Sequence, residues 1–126
     1  MTNISLHLAS ACLGIILFFT IILAPTVFKV LSKESASIYL RAFFPKFYIF
    51  LFLISGLAAL LSQEKVTTFV LTTIALLFLI SRWPLTSAIN NATDKNNKKL
   101  FNILHSCSVV IILIQIIMFL TLFFVN

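Results

Sequence analysis

Residues 100–125 read LFNILHSCSVVIILIQIIMFLTLFFV, a segment without a single Lys, Arg, Asp or Glu. A helix that crosses the hydrocarbon core of a bilayer needs about 20 consecutive, mostly apolar residues. The segment exceeds that length, so it is predicted to be a transmembrane helix. Three further apolar runs precede it, at 4–28, 43–61 and 66–85. The end of the third run is the least well defined, because its most apolar part stops at Ser81.

The composition of the whole chain agrees with four membrane spans. Of the 126 residues, 61% are apolar and 10% are charged, whereas a soluble domain contains roughly 25% charged residues. A soluble fold of this length could not bury so much apolar surface, but a bilayer can accommodate it. The sequence therefore predicts a single all-α domain, a four-span transmembrane bundle, and we expect a multi-pass protein of the bacterial inner membrane.

The first apolar run is expected to be a retained span and not a cleaved signal peptide. The first cation of the chain is Lys29, so no basic stretch precedes the run. The run is also longer than the apolar core of a signal peptide.

The positive charges predict the orientation of the four spans. Eight of the nine Lys and Arg residues lie in or beside two of the three connections, 29–42 and 86–99. These two connections lie on the same side of a four-span protein, and cytoplasmic loops carry an excess of Lys and Arg. Both connections are therefore predicted to be cytoplasmic and both termini external. Cations at that surface attract anionic lipid headgroups, which accounts for the formal charge of +6 without a nucleic-acid partner.

Helical periodicity predicts which faces of three spans turn inward. Polar groups that face lipid without a hydrogen-bond partner are costly, so polar stripes are expected to face other helices. Small residues four apart, such as Ser10 and Gly14 or Ser55 and Ala59, would let a neighbouring helix approach closely. The predicted inward stripes are His7, Ser10, Gly14, Phe18, Ile21, Pro25 and Phe28 on the first span, Pro45, Tyr48, Phe52, Ser55, Gly56 and Ala59 on the second, and Asn102, His105, Ser108 and Gln115 on the fourth.

Three prolines are expected near the cytoplasmic end of the bundle. Pro25 lies about one turn before the end of the first span, Pro45 is expected to open the second, and Pro84 follows Trp83 at the end of the third. A missing N–H costs little in the first turn of a helix. Two interpretations stay open: helix termination with interfacial aromatic anchors, or a rigid site with free backbone carbonyls. The polar stretch 86–99, TSAINNATDKNNKK, lacks apolar periodicity and is predicted to be a solvated loop.

His105 is the first candidate for a functional side chain, because an ionisable group at membrane depth is often functional. A neutral imidazole bonded to another helix is the alternative. His7, near the outer end of the first span, is the second candidate. Their levels in a core of about 30 Å differ by roughly 17 Å, so they are not expected to bind one haem or one metal ion. No metal site is predicted, and no catalytic residue can be assigned.

Short motifs follow one another in a particular order along the chain. They are Gly14 in the first span, APTVF at 24–28, FPKFY at 44–48, Trp83-Pro84, and FNILHSCS at 101–108. In this order the chain resembles the transmembrane protein 205-like family, four-helix integral membrane proteins that contain a domain of unknown function. The resemblance covers essentially the whole chain and implies a membrane protein whose biochemical activity is not settled. The candidate functional or packing cluster is Gly14, Pro25, Phe28, Pro45, Tyr48, Pro84, His105 and Ser108.

The expected function is that of a small structural, accessory or transport-related membrane protein without enzymatic activity. Four short spans can hardly enclose a pathway, so we expect a homo-oligomer or a complex with another membrane protein, and no cofactor is predicted. The alternative is a haem- or porphyrin-binding membrane redox protein that uses His105, with His7 as a further ligand. The chain is partly similar to four-helix membrane protoporphyrinogen oxidases, in which a first-span His precedes a Pro.

Overall fold

The computed structural model describes residues 2–125 of the chain, and the side chains of residues 4–124. The described chain is 93% helical and contains no strand. Its helices are α1 (Thr2–Phe18), α2 (Ala24–Val30), α3 (Lys33–Leu61), α4 (Lys65–Ile80), α5 (Thr86–Asp94) and α6 (Lys98–Val125). A π-helical segment, Phe19–Leu23, joins α1 to α2, and a second one, Ser81–Leu85, joins α4 to α5.

Because the π-helical segments continue into the next helix, the chain forms four long helices. They are Ile4–Val30, Lys33–Leu61, Lys65–Asp94 and Lys98–Phe124, and each is long and apolar enough to cross a membrane. We call them the first to fourth spans. The predicted fold class, an all-α bundle with four spans, is confirmed. The side of the membrane on which each end lies stays a prediction.

The four spans pack in a ring. The first packs against the second through α1 and α3, the second against the third through α3 and α4, and the fourth contacts both α4 and α1. Successive spans run in opposite directions, so the connection after α2 and the connection after α5 lie at the same end. We call this the basic end. Its cations are Lys29, Lys33, Arg41, Lys46, Arg82, Lys95, Lys98 and Lys99.

The core is tightest in the half of the bundle away from the basic end. Side chains without exposed surface fill it, among them Ile16, Leu51, Leu71, Ile74 and Phe119. Hydrogen bonds between spans cross the same region. Ser5 Oγ donates to the carbonyl of Ala58 at 2.8 Å, Gln115 Nε2 donates to the carbonyl of Ile74 at 3.0 Å, and the Cys12 thiol lies 4.0 Å from the carbonyl of Leu51. Such bonds contribute about 0.6 kcal/mol each on average in membrane proteins.

The predicted inward face of the first span is wrong. Every member of that stripe is exposed, from His7 to Phe28, whose side chain is 64% exposed. The opposite face is buried and consists of Ser5, Ala9, Cys12 and Ile16. Both faces carry small and polar residues, so polarity alone could not distinguish them. Ser10 also needs no partner from another span, because its hydroxyl donates to the carbonyl of Leu6 in its own helix at 2.9 Å.

The predicted inward face is confirmed for the second span and confirmed in part for the fourth. On the second span Tyr48, Ser55 and Ala59 are buried, while the other three members are partly buried, so that stripe is confirmed. On the fourth span Ser108 and Gln115 are buried, but Asn102 and His105 are exposed. The fourth span contacts the first through α1, the half of that span away from the basic end. Near the basic end α6 packs against α5 instead, which leaves much of its surface uncovered.

The two basic connections are much shorter than 29–42 and 86–99. Only residues 31–32 separate α2 from α3, and 95–97 separate α5 from α6. The predicted solvated loop at 86–99 is therefore wrong, since α5 occupies most of it. Ala92 on α5 and Ala36 on α3 are buried, so these helix extensions pack instead of remaining in solvent. Asn96 completes the turn with φ at 54°, a conformation that Asn tolerates better than most residues.

The sequence predicted that Pro45 opens the second span. This prediction is wrong, because Pro45 lies inside α3. A proline in a helix interior has no N–H to donate to the carbonyl four residues earlier, which here belongs to Arg41. The helix nevertheless continues through Pro45 to Leu61.

Candidate functional site

Each π-helical segment lies beside a proline near the basic end. Pro25 is in the first turn of α2, and Pro84 lies within Ser81–Leu85. A proline removes one donor from the helical ladder, and a π-helical turn is one way in which a helix absorbs that loss. Such turns occur frequently at functional sites.

Threonine hydroxyls close both irregular turns. Thr26 Oγ1 donates to the carbonyl of Ile22 at 2.6 Å, and Thr86 Oγ1 donates to the carbonyl of Ser81. The helices continue past both prolines, so the interpretation of Pro25 and Pro84 as helix terminators is wrong. The carbonyls of Ile22 and Ser81 therefore each accept a hydrogen bond from a side chain of the same helix.

An aromatic cluster holds the first π-helical segment against α3. Phe19 stacks on Phe43 with ring centroids 5.4 Å apart and lies 4.8 Å from the ring of Phe47. The ring of Tyr48 stacks on Phe44 at 5.6 Å. Aromatic pairs contribute about 0.5–1.5 kcal/mol beyond the area that they bury. Tyr48, a predicted site residue, therefore has a packing role in this cluster.

An ion pair joins the two helix extensions at the basic end. Arg41 Nη2 lies 2.7 Å from Asp94 Oδ2, and Arg41 Nη1 lies 2.9 Å from Asp94 Oδ1. Arg41 Nη2 also donates to the carbonyl of Asn90 at 3.3 Å. Among the described residues this is the only salt bridge. The bidentate geometry fixes the orientation of α5 on α3, although both side chains are exposed and water screens their attraction.

The second π-helical segment also places polar atoms in the interior. Ser81 is 1% exposed, and neither its hydroxyl oxygen nor Arg82 Nε has a hydrogen-bond partner. The Arg82 guanidinium lies 5.3 Å from the centroid of the Trp83 ring. Gln115 Oε1 is the third buried atom without a partner in the described part of the chain. Sequence reasoning missed Ser81 and Arg82, although their position beside Trp83-Pro84 was a signal.

The eight predicted cluster residues do not converge on one site. Tyr48 and Ser108 are buried and Pro45 is partly buried, whereas the other five are exposed on different spans. These five are Gly14, Pro25, Phe28, Pro84 and His105. The cluster is therefore a set of separate positions and does not form a pocket.

The two histidines lie on outward surfaces near opposite ends of the bundle. The His105 ring stacks on Phe101 of its own helix, with centroids 5.7 Å apart and an angle of 4° between the ring planes. Ser108 Oγ donates to the backbone carbonyl of His105 at 2.7 Å and not to its imidazole. His7 is exposed on α1. Within the described residues no group of three or more His, Cys, Asp or Glu side chains could hold a metal ion.

Two shallow surface depressions lie on the outside of the bundle near the basic end. One is apolar, has a volume of about 270 Å³, and runs between the third and fourth spans past Pro84 and Leu104. The other is an open depression of about 650 Å³ on the exposed side of α6, between side chains of that helix alone. It is lined by Asn102, Ile103, Ser106, Cys107, Val110 and Ile111.

Comparison of the chain with family models, with curated proteins and with solved structures gives no match. The resemblance to the transmembrane protein 205-like family therefore stays a prediction.

Proposed function

We propose that the protein is a small structural, accessory or transport-related unit of the bacterial inner membrane that works as a homo-oligomer. The basic end faces the cytoplasm and both termini are external. The outward stripe of the first span, His7 to Phe28, forms the contact with a second copy.

The main support for this proposal is that every residue of that stripe is exposed. The His7 imidazole forms no hydrogen bond within the described residues, and lipid cannot replace the hydrogen bonds that an imidazole makes with water. A second protein helix can supply a partner. Ser10 and Gly14 lie one turn apart on the same face, and a Cβ built on Gly14 would meet no atom within 4 Å. Small residues at this spacing allow two membrane helices to pack closely.

The filled core supports an oligomer for a second reason. Large apolar side chains, including Phe78 and Phe119, are fully buried where the four spans meet. A pathway for a solute would therefore have to lie between copies of the chain and not through the centre of one bundle. The haem alternative is not favoured by the geometry, because His105 and His7 lie on separate outward surfaces.

Native mass spectrometry of the protein released from nanodiscs tests the proposed contact. The wild type is expected as a dimer or larger oligomer. Gly14→Leu should shift it to monomer, because the added side chain separates the two helices. Thr72→Leu is the matched control, since it adds bulk at an exposed position of α4 and should leave the oligomer unchanged. A wild type that is monomeric in nanodiscs, or equal behaviour of the two variants, would exclude this interface.

The orientation is tested separately by labelling single cysteines in intact cells. Lys95→Cys, in a background with Cys12→Ala and Cys107→Ala, should react with a membrane-impermeant maleimide only after the cells are opened. Gln63→Cys, in the connection at the opposite end, should react in cells with a permeable outer membrane. The reverse pattern would contradict the proposed orientation.

A further inference from the structure

The exposed side of α6 near the basic end differs from the rest of the outward surface. Lys98, Lys99, Asn102, Ser106 and Val110 are all exposed. At 100° per residue they fall within about 120° of arc, on the side opposite the buried Gln115. They therefore form one continuous strip along the helix.

The chemistry of this strip changes in a fixed order with depth. Helical rise places Asn102 about 5 Å and Ser106 about 11 Å below the level of the two lysines, with Val110 about 17 Å below. From the basic end inward, the strip presents two cations, then an amide and a hydroxyl, and then apolar side chains. An open depression of about 650 Å³ on the surface of α6 borders the strip along Asn102, Ser106 and Val110.

The two lysines are free to bind an anion. The only ion pair among the described residues engages Asp94 with Arg41, so the one carboxylate of the preceding turn is already occupied. The other two acidic residues of the chain are Glu34 on α3 and Glu64 at the opposite end. Lys98 and Lys99 thus have no carboxylate partner within the described chain.

We infer that this strip is a binding site for a single anionic phospholipid in the leaflet at the basic end. Lys98 and Lys99 contact the phosphate, and Asn102 and Ser106 donate hydrogen bonds to the glycerol ester oxygens. One acyl chain lies along the surface of α6 beside Val110. The order of charges, hydrogen-bond donors and apolar side chains matches the order of groups in such a lipid. Lys and Arg side chains next to a membrane surface attract anionic lipid headgroups.

The site explains why polar residues of α6 face away from the bundle. Neither Asn102 nor Ser106 has a side-chain hydrogen bond within the described residues, and hydrocarbon would not satisfy them. A lipid headgroup supplies acceptors at this level, whereas acyl chains cover the apolar residues deeper in the membrane. The site does not depend on the contact between copies, which involves the first span.

Native mass spectrometry with added lipid tests the site. The probes are palmitoyl-oleoyl phosphatidylglycerol and palmitoyl-oleoyl phosphatidylcholine, which share acyl chains and differ in headgroup charge. The wild type should retain one phosphatidylglycerol more tightly than phosphatidylcholine. Lys98→Gln with Lys99→Gln should weaken that binding about tenfold or more, since each cation near the surface contributes about 1 kcal/mol. Asn102→Leu with Ser106→Leu should weaken it several-fold and leave the charges intact.

The matched control removes two charges elsewhere at the same end. Lys29→Gln with Lys33→Gln should leave phosphatidylglycerol binding within about twofold of the wild type, because those lysines lie on α2 and at the start of α3. Equal weakening by both double variants would show diffuse attraction to the surface and would overturn the site. Equal retention of the two lipids by the wild type would also overturn it.

Photochemical labelling locates the lipid. A phosphatidylglycerol with a diazirine in one acyl chain, reconstituted with the wild type, should label the segment 102–111 in preference to the exposed face of α4. Label spread evenly over all four spans, or a segment 102–111 that is covered by another copy and unlabelled, would contradict the proposal.

Discussion

The two halves of this bundle are built differently. Away from the basic end, the spans contact one another through fully buried side chains, with hydrogen bonds from Ser5 and Gln115 across span boundaries. Toward the basic end, two spans contain π-helical segments, Ser81 Oγ has no partner, and much of α6 is uncovered. The first half is tightly packed and stabilises the fold, whereas the second has irregular turns and more exposed surface. Substitutions in the tightly packed half should therefore lower the free energy of unfolding, whereas substitutions near the basic end should mainly change local structure.

The largest effect is expected in the tightly packed half. Phe119→Ala removes a ring that is completely buried, and the cavity should destabilise the protein by about 3–5 kcal/mol. Phe124→Ala is the control on the same helix, because that ring is 89% exposed and its loss should change little. Unfolding in mixed micelles with increasing dodecyl sulfate measures both. Similar destabilisation by the two variants would show that α6 is not packed as described.

A smaller effect is expected from the hydrogen bond between α1 and α3. Ser5→Ala removes the donor to the carbonyl of Ala58 and should cost about 0.6 kcal/mol, the average for such bonds in membrane proteins. Ser10→Ala is a matched control on the opposite face of α1, since its hydroxyl bonds only within its own helix. The same unfolding experiment should show almost no change for Ser10→Ala. A larger loss for Ser10→Ala than for Ser5→Ala would reverse the assignment of buried and exposed faces.

The smallest effect on overall stability is expected at the basic end. Arg41→Ala breaks the bidentate pair with Asp94, which water screens, so the unfolding midpoint should hardly move. The local effect should be clear, because α5 loses its polar contact with α3. Hydrogen–deuterium exchange of residues 86–94 should become faster in Arg41→Ala and stay unchanged in Lys33→Ala. Unchanged exchange in both variants would mean that apolar packing alone holds α5.

The sequence was sufficient for the number of spans and for one of their faces. Four long apolar runs, none of which contains an Asp or a Glu, are separated by connections rich in cations, and this pattern predicts four spans. The stripe with Ser55 and Ala59 was on the only small-residue face of the second span. The first span was ambiguous, because Ser5, Ala9 and Cys12 oppose Ser10 and Gly14. Which of these faces is buried depends on the shape of α3, and periodicity cannot show that.

The prediction of a loop from the polar composition of residues 86–99 was also wrong. The stretch is rich in Asn and Thr, which predicts a loop, but α5 continues the third span through a π-helical turn and is held by Arg41 from a distant part of the chain. The sequence could not predict the candidate site for a similar reason. Its residues were chosen by type and order, whereas their convergence depends on rotations of whole helices. Ser108 and Gln115 turned inward as predicted, while His105, on the same helix, did not.

Cysteine cross-linking along the first span in native membranes tests most directly whether its polar face meets a second copy. Single cysteines would be placed in turn at 7–21 in a background lacking Cys12 and Cys107, and then oxidised. Disulfide-linked dimers should form at Ser10 and Gly14 and recur with a helical period of about 3.6 residues, while Ala9 and Ile16 should give none. Dimers at the buried positions, or at no position on the first span, would contradict the account.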